Sequence, residues 1–220
     1  MTRIKICCIA SIEEAKMAIN CGASALGLVS KMPSGPGVIS EELISNIAES
    51  IPPGISSFLL TSLQNVDEII QQQKYCKTNT IQLCDRLIEG THLELKNTLP
   101  GIKIVQVIHV NDEDSILEAI DVSNYVDAIL LDSGNQKLDV KVLGGTGKTH
   151  DWTISKKIVE SVNVPVFLAG GLNSENVLDA IQQVRPFGVD ICSGVRTNGK
   201  LDKSKLKQFV VNVNSFQRYA

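Results

Sequence analysis

The chain has 220 residues, 43% hydrophobic and 20% charged, with 21 basic and 24 acidic side chains for a formal net charge of -3. That apolar fraction excludes a disordered chain, the lack of a basic excess argues against nucleic acid, and 4% aromatics is thin for a stacking surface. No apolar run approaches the roughly 18 residues of a membrane span.

In chain order, short β-branched runs alternate with longer segments of helical period. Arg3–Ile9 reads as a strand, followed by a helix capped by Ser11, with Glu14 at capping-box spacing, that ends near Cys21 and Gly22. Ser24–Val29 precedes a Gly/Pro loop and a helix over Glu41–Glu49. Ile55–Thr61 pairs with Val66–Tyr75, Thr80–Cys84 with His92–Thr98, and Ile102–Val110 with Glu113–Val122. Val126–Asp132 leads, after a long polar stretch, to a helix beginning near Thr153. Pro165–Ala169 leads into Ser174–Gln183, and Val189–Cys192 into a last helix from about Asp202 to Asn212. Eight β-then-α units without a linker predict an α/β fold, a single-domain (β/α)8 TIM barrel over residues 1–220. Chemistry in that fold belongs at the C-terminal ends of the strands.

Those ends carry Cys7, Gln82 and Cys84, Asp132, Gly170-Gly171-Leu172, and Asp190 with Cys192. Alternation puts Lys5 on the same face as Cys7, and barrel closure brings Lys5 to Asp190. An ion pair filling the barrel and a substrate-facing role both fit that pair. Gly170 and Gly171, with Ser193 and Gly194, stand where strands 7 and 8 hand over to loops, the recurrent phosphate cradle of this fold. The six cysteines Cys7, Cys8, Cys21, Cys76, Cys84 and Cys192 have no secretory leader ahead of them, which fits free thiols in a cytoplasmic protein. Without CxxC or HExxH, and with His92, His109 and His150 scattered, no metal site is expected. No surface stripe announces an obligate protein partner. Gly144-Gly145-Thr146-Gly147-Lys148-Thr149 looks like a nucleotide loop, but the glycine required five positions before Gly147 is Val142, so a lid after strand 6 is the better reading.

Together, Lys5-Ile6-Cys7, Ile81-Gln82-Leu83, Leu130-Leu131-Asp132 and the run Gly144–Trp152 resemble phosphoribosylanthranilate isomerase. So do Ala169–Val177, Arg185–Asp190 and Ser193-Gly194-Val195. The resemblance implies a cofactor-free barrel enzyme of tryptophan biosynthesis, performing an Amadori rearrangement of a small-molecule phosphorylated sugar amine. It assigns Cys7 as base and Asp132 as acid; the cradle at Gly170, Gly171, Leu172, Ser193 and Gly194 is expected to hold phosphate, and Lys5, Gln82, Cys84, Arg86 and Asp190 to bind substrate. The chain departs from the family pattern at three places: no arginine in the Ser30–Val38 loop, where Gly37 stands near its position, Cys84 for histidine, and Cys8 for glycine. Lys31, Arg86 and Arg196 are the candidate replacements for the missing carboxylate partner, and His109 is a further residue on the active face. The alternatives are an isomerase for another phosphosugar amine and a non-catalytic phosphate-binding barrel.

Overall fold

Side-chain alternation sorts each strand into an inward and an outward row, and the outward rows need helices to cover them. The computed structural model satisfies both demands; it describes residues 1–134, 143, 147 and 149–216. Eight parallel strands form a closed barrel in sequence order: β1 (Arg3–Ile6), β2 (Ala25–Val29), β3 (Ser56–Thr61), β4 (Thr80–Leu83), β5 (Lys103–His109), β6 (Ala128–Asp132), β7 (Val166–Leu168) and β8 (Gly188–Ile191). The helices α1 (Ile12–Cys21), α2 (Glu41–Ser50), α3 (Val66–Cys76), α4 (His92–Thr98), α5 (Asp114–Ser123), α6 (Trp152–Ser161), α7 (Val177–Val184) and α8 (Lys203–Phe216) follow them one by one. The (β/α)8 expectation is borne out. Among the described residues no helix is long and apolar enough to cross a membrane.

The core has two compartments. Ile104 and Ile108 of β5 and Ile129 and Leu131 of β6 face the helices, in one cluster with Ile44, Ile69 and Phe209. Their neighbours Val105, Val107, Ala128 and Leu130 point inward, joining Phe58, Leu60 and Phe167. The helices begin where side chains satisfy free N–H groups. Ser11 Oγ accepts from Glu14 N at 3.2 Å, and Thr91 with Glu94 forms a full capping box.

Several boundaries differ from the expectation. Strand β1 stops at Ile6 because Cys8 turns into the left-handed region at φ 61°, ending the extended run. Helix α7 starts at Val177 rather than Ser174, since Asn173 Oδ1 accepts from Glu175 N and Asn176 N and holds a turn there. A small antiparallel pair, Arg196–Thr197 with Lys200–Leu201, was not expected and precedes α8.

Closure places Lys5 opposite Asp190 across the β1–β8 seam. The Lys5 Nζ donates to Asp190 Oδ2 at 2.8 Å, with Lys5 fully buried. It also sits 5.2 Å from the centre of the Phe58 ring, and Phe58 meets Phe167 edge-on. Room for Lys5 comes from Gly27 on β2, where a Cβ would stand 3.2 Å from Nζ and 2.9 Å from Cys7 Sγ. Removing one partner of such a pair leaves an uncompensated buried charge. Lys5→Met should therefore cost about 3–5 kcal/mol in urea unfolding, and adding Asp190→Leu should recover most of it.

Candidate active site

At the C-terminal end of the barrel lies an open cavity. Of the residues singled out in the sequence, Cys7, Gln82, Cys84, Asp132, Gly170, Gly171, Leu172, Asp190 and Ser193 all line it. Lys5 does not reach it; the ammonium lies beneath the cavity floor, committed to Asp190. Arg86 is outside it as well, exposed and forked onto Glu118 at 2.9 and 2.7 Å. The expectation that Arg86 binds substrate is corrected on that ground: the turn after β4 aims its side chain at α5, away from the cavity.

The two other candidate cations are also placed elsewhere. Arg196 binds Glu14 at 3.1 Å and the carbonyl oxygens of Cys7 and Cys8, so it buttresses the end of β1 from behind. Lys31 is exposed and outside the lining. Among the described lining residues none is a lysine or arginine. His109 Nε2 pairs with the Cys84 carbonyl at 3.1 Å, a rim histidine turned away from the cavity.

Burial sets the protonation of the carboxyls. It pushes Asp132 up to about 6, with the negative charge of Asp190 adding to the effect and the hydrogen bond from Ser133 N at 2.7 Å opposing it. The Asp190 carboxyl is raised by burial too, against the pull of Lys5. Burial opposes the charge on Lys5, but Asp190 and the nearby thiols overcome this and hold the ammonium above its usual range. Burial likewise keeps the Cys84 thiol protonated. Two buried acceptors in the lining, Gln82 Oε1 and Asp190 Oδ1, have no partner among the described residues, and unsatisfied polar atoms in a cavity wall invite ligand donors.

The cradle after β7 and β8 is built from glycines that nothing else fits. Gly170 has φ +82°, and a Cβ there would meet His150 Nδ1, Ser133 Oγ and Asp132 Oδ1 at 3.1–3.2 Å. Any Cβ on Gly194 would run into the Leu172 carbonyl, so the two loops touch at that point. Gly194 itself is outside the lining and acts by allowing that contact. The N–H groups of Gly171 and Leu172 donate to no backbone carbonyl among the described residues. The expected lid falls largely outside the described residues; of its neighbourhood, Leu143 lines the cavity and Gly147 lies beside Ser193.

Two site residues, Gly27 and Cys8, were not singled out for this cavity by alternation along the strands. A glycine inside a strand, such as Gly27, signals close approach. Cys8 and Cys192 are neighbours there, 2.7 Å apart at sulfur, and both line the cavity. Alternation assigned Cys192 but turned Cys8 outward; the positive φ of Cys8 brings it back. Its Cβ fills the space beside Gly37, where an added Cβ would stand 2.5 Å away.

The chain matches the family model described as N-(5'phosphoribosyl)anthranilate (PRA) isomerase over residues 4–212. The N-(5'-phosphoribosyl)anthranilate isomerase 2 of Methanosarcina mazei is 39% identical over 210 residues, spanning 94% of this chain and 92% of that protein. The corresponding isomerase of Methanothrix thermoacetophila is 35% identical over 220 residues, spanning 99% and 100%. Among solved structures, phosphoribosyl anthranilate isomerase from Thermotoga maritima is similar with TM-score 0.81 and 31% identity, covering 98% of this chain and 100% of that one. Another such isomerase, solved with reduced 1-(o-carboxyphenylamino)-1-deoxyribulose 5-phosphate, is similar with TM-score 0.78 and 29% identity, at 98% and 100% coverage.

The Cys8–Gly37 contact makes a direct prediction. Gly37→Arg alone should lower stability by roughly 2–4 kcal/mol, from left-handed strain and overlap with Cys8. Adding Cys8→Gly should recover part of that loss in urea unfolding, since it removes the obstructing Cβ and suits φ 61°.

Proposed function

Since the chain belongs to the N-(5'-phosphoribosyl)anthranilate isomerase family, we propose that it converts N-(5-phosphoribosyl)anthranilate to the 1-deoxyribulose 5-phosphate product, with Cys7 as base and Asp132 as acid. The observation that carries the assignment of roles is one cavity lined by a thiol from the end of β1 and a carboxyl on β6 that burial keeps near half-protonated around pH 6.

The rearrangement moves protons, so an acid and a base on the bound sugar suffice. Asp132 protonates the furanose ring oxygen, and the ring opens to a Schiff base. The Cys7 thiolate removes the C2′ proton, and the resulting enolamine tautomerises to the ketose. The free acceptors Gln82 Oε1 and Asp190 Oδ1 suit the sugar hydroxyls, which donate where the protein cannot. The N–H groups at Gly170–Leu172 and Ser193 suit the phosphate, because amides in glycine turns approach an anion closely. The anthranilate ring has apolar neighbours in Met32, Leu60 and Leu143. Within the described lining its carboxylate meets no lysine or arginine, and lacking a charge-assisted contact of roughly 1.5–3 kcal/mol weakens binding about ten- to more than a hundredfold. The same reading places the protein in the cytoplasm, where its thiols remain free.

A direct assay with N-(5-phosphoribosyl)anthranilate decides the activity, and a folded protein that gives no ketose product overturns it. Cys7→Ser and Asp132→Asn should each lower kcat by at least about a hundredfold. The pH dependence has a fixed sign. Asp132 is raised from its ordinary carboxyl range, so it donates below about pH 6 and the activity it supports falls as pH rises through that value. Asp132→Asn should lack that limb. The stability linked to neutral Asp132 is complete below about pH 4 and lost as pH rises through about 6. Asp132→Asn should thus gain Tm relative to the parent at pH 8 and not at pH 4.

A further inference from the structure

Cys8 and Cys192 have no part in the proton transfers, yet both open onto the cavity in which those transfers occur. They follow β1 and β8, adjacent strands in the closed barrel, and Cys7 N donates to the Ile191 carbonyl at 2.8 Å, fixing the two strand ends to each other. Their sulfurs share a contact of 2.7 Å, with both thiols free. Cys8 is buried on the opposite side by Gly37 and by the Pro36 carbonyl at 3.6 Å. Cys192 is the more exposed of the two.

We propose that Cys8 and Cys192 are a reversible redox pair, which a hydroperoxide closes to a disulfide across the cavity wall and which thiols reopen, with the closed form turning over substrate more slowly. A shift of less than about 1 Å brings the sulfurs to bonding distance. Intracellular disulfides of this kind are typically transient and redox-sensing.

The chemistry assigns an order to the two sulfurs. Cys192 is held below the ordinary thiol range by the Cys8 thiol hydrogen-bonded to it, aided by the charge of Arg196, whereas Cys8 is held protonated by its neighbouring sulfurs and by burial. The Cys192 thiolate attacks a peroxide oxygen, the O–O bond breaks, and the departing oxygen leaves as water after taking a proton. Cys8 then attacks the sulfenic sulfur of Cys192; the S–O bond breaks and its oxygen leaves as a second water, taking the Cys8 proton. Two thiols lose two electrons and two protons, and one hydrogen peroxide becomes two waters. Bonding to Cys192 draws the Cys8 sulfur off Pro36 O, and Pro36 with Ser34 and Gly35 walls the cavity. Cys8 also follows directly on Cys7, and Arg196 holds the carbonyls of both.

The test treats the full-length protein with hydrogen peroxide, caps the remaining thiols and maps peptides by mass spectrometry. The expected product is a Cys8–Cys192 link that dithiothreitol removes. Alongside it, kcat/KM should fall at least about tenfold and return with dithiothreitol. Cys192→Ser should abolish both the link and the reversible part of the loss, with Cys192→Ala used if serine impairs folding. Only the kinetic arm rests on the proposed isomerase activity. The peptide map needs no substrate, so a link formed in a protein inactive on the phosphoribosyl amine upholds the pair while the activity reading fails. No link, a link through Cys7, unchanged kinetics in the linked protein, or an equal reversible loss in Cys192→Ser would each overturn the proposal.

Discussion

The molecule is organised around one buried ion pair. Lys5 and Asp190 lie on the first and last strands, so their 2.8 Å contact spans the seam where the barrel closes. Two charges inside an apolar barrel are costly to desolvate, and the surrounding structure is arranged to offset that. Gly27 leaves the space for Nζ, and the Phe58 ring gives it an electron-rich face. Among the described residues only one Asp190 oxygen is used; the other stays unpartnered in the cavity wall. That negative charge adds to burial in raising the Asp132 carboxyl, with Lys5 opposing it. A contact that holds the barrel shut therefore also tunes the carboxyl proposed as the acid.

Four thiols line the same cavity, and their surroundings give them different chemistry. Cys84 is held protonated by burial against β4, with Gln82 Nε2 3.7 Å from its sulfur. Cys8 stays protonated because its neighbours are other sulfurs, and Cys192 is acidified by that same contact and by Arg196. Arg196 is the common element at this wall. Its guanidinium takes the Cys7 and Cys8 carbonyls and Glu14, linking the end of β1, the start of α1 and the short β-pair before α8. A cation absent from the cavity surface thus fixes the backbone of its proposed base.

Most of this was legible in the sequence because barrels follow two simple periods. Alternation along β1, β4 and β8 grouped Lys5 with Cys7, Gln82 with Cys84, and Asp190 with Cys192, and closure then paired Lys5 with Asp190. The same rule failed at Cys8, because a left-handed residue breaks the alternation and nothing in a cysteine announces positive φ. The fate of the long cations was equally hidden. Arg86 and Arg196 stand just past strand ends, yet Glu118 and Glu14 claim them, and those partners lie 32 and 182 residues away in sequence. Helix α7 began late because a local turn at Asn173 satisfied the backbone first.

The glycine that opens the proposed anion cradle also makes room for the proposed acid. At Gly170 a Cβ would crowd Asp132 Oδ1 at 3.2 Å, so the loop after β7 and the tip of β6 are packed as one unit. A phosphate held on the N–H groups of that loop would therefore bring its charge close to Asp132. Like charge favours the neutral carboxyl, so occupancy of the cradle should strengthen the hold of Asp132 on its proton beyond what burial alone achieves. The acid would then be better protonated in the complex than in the empty enzyme. Binding energy from the unreactive end of the substrate would in this way be converted into the protonation state that ring opening requires.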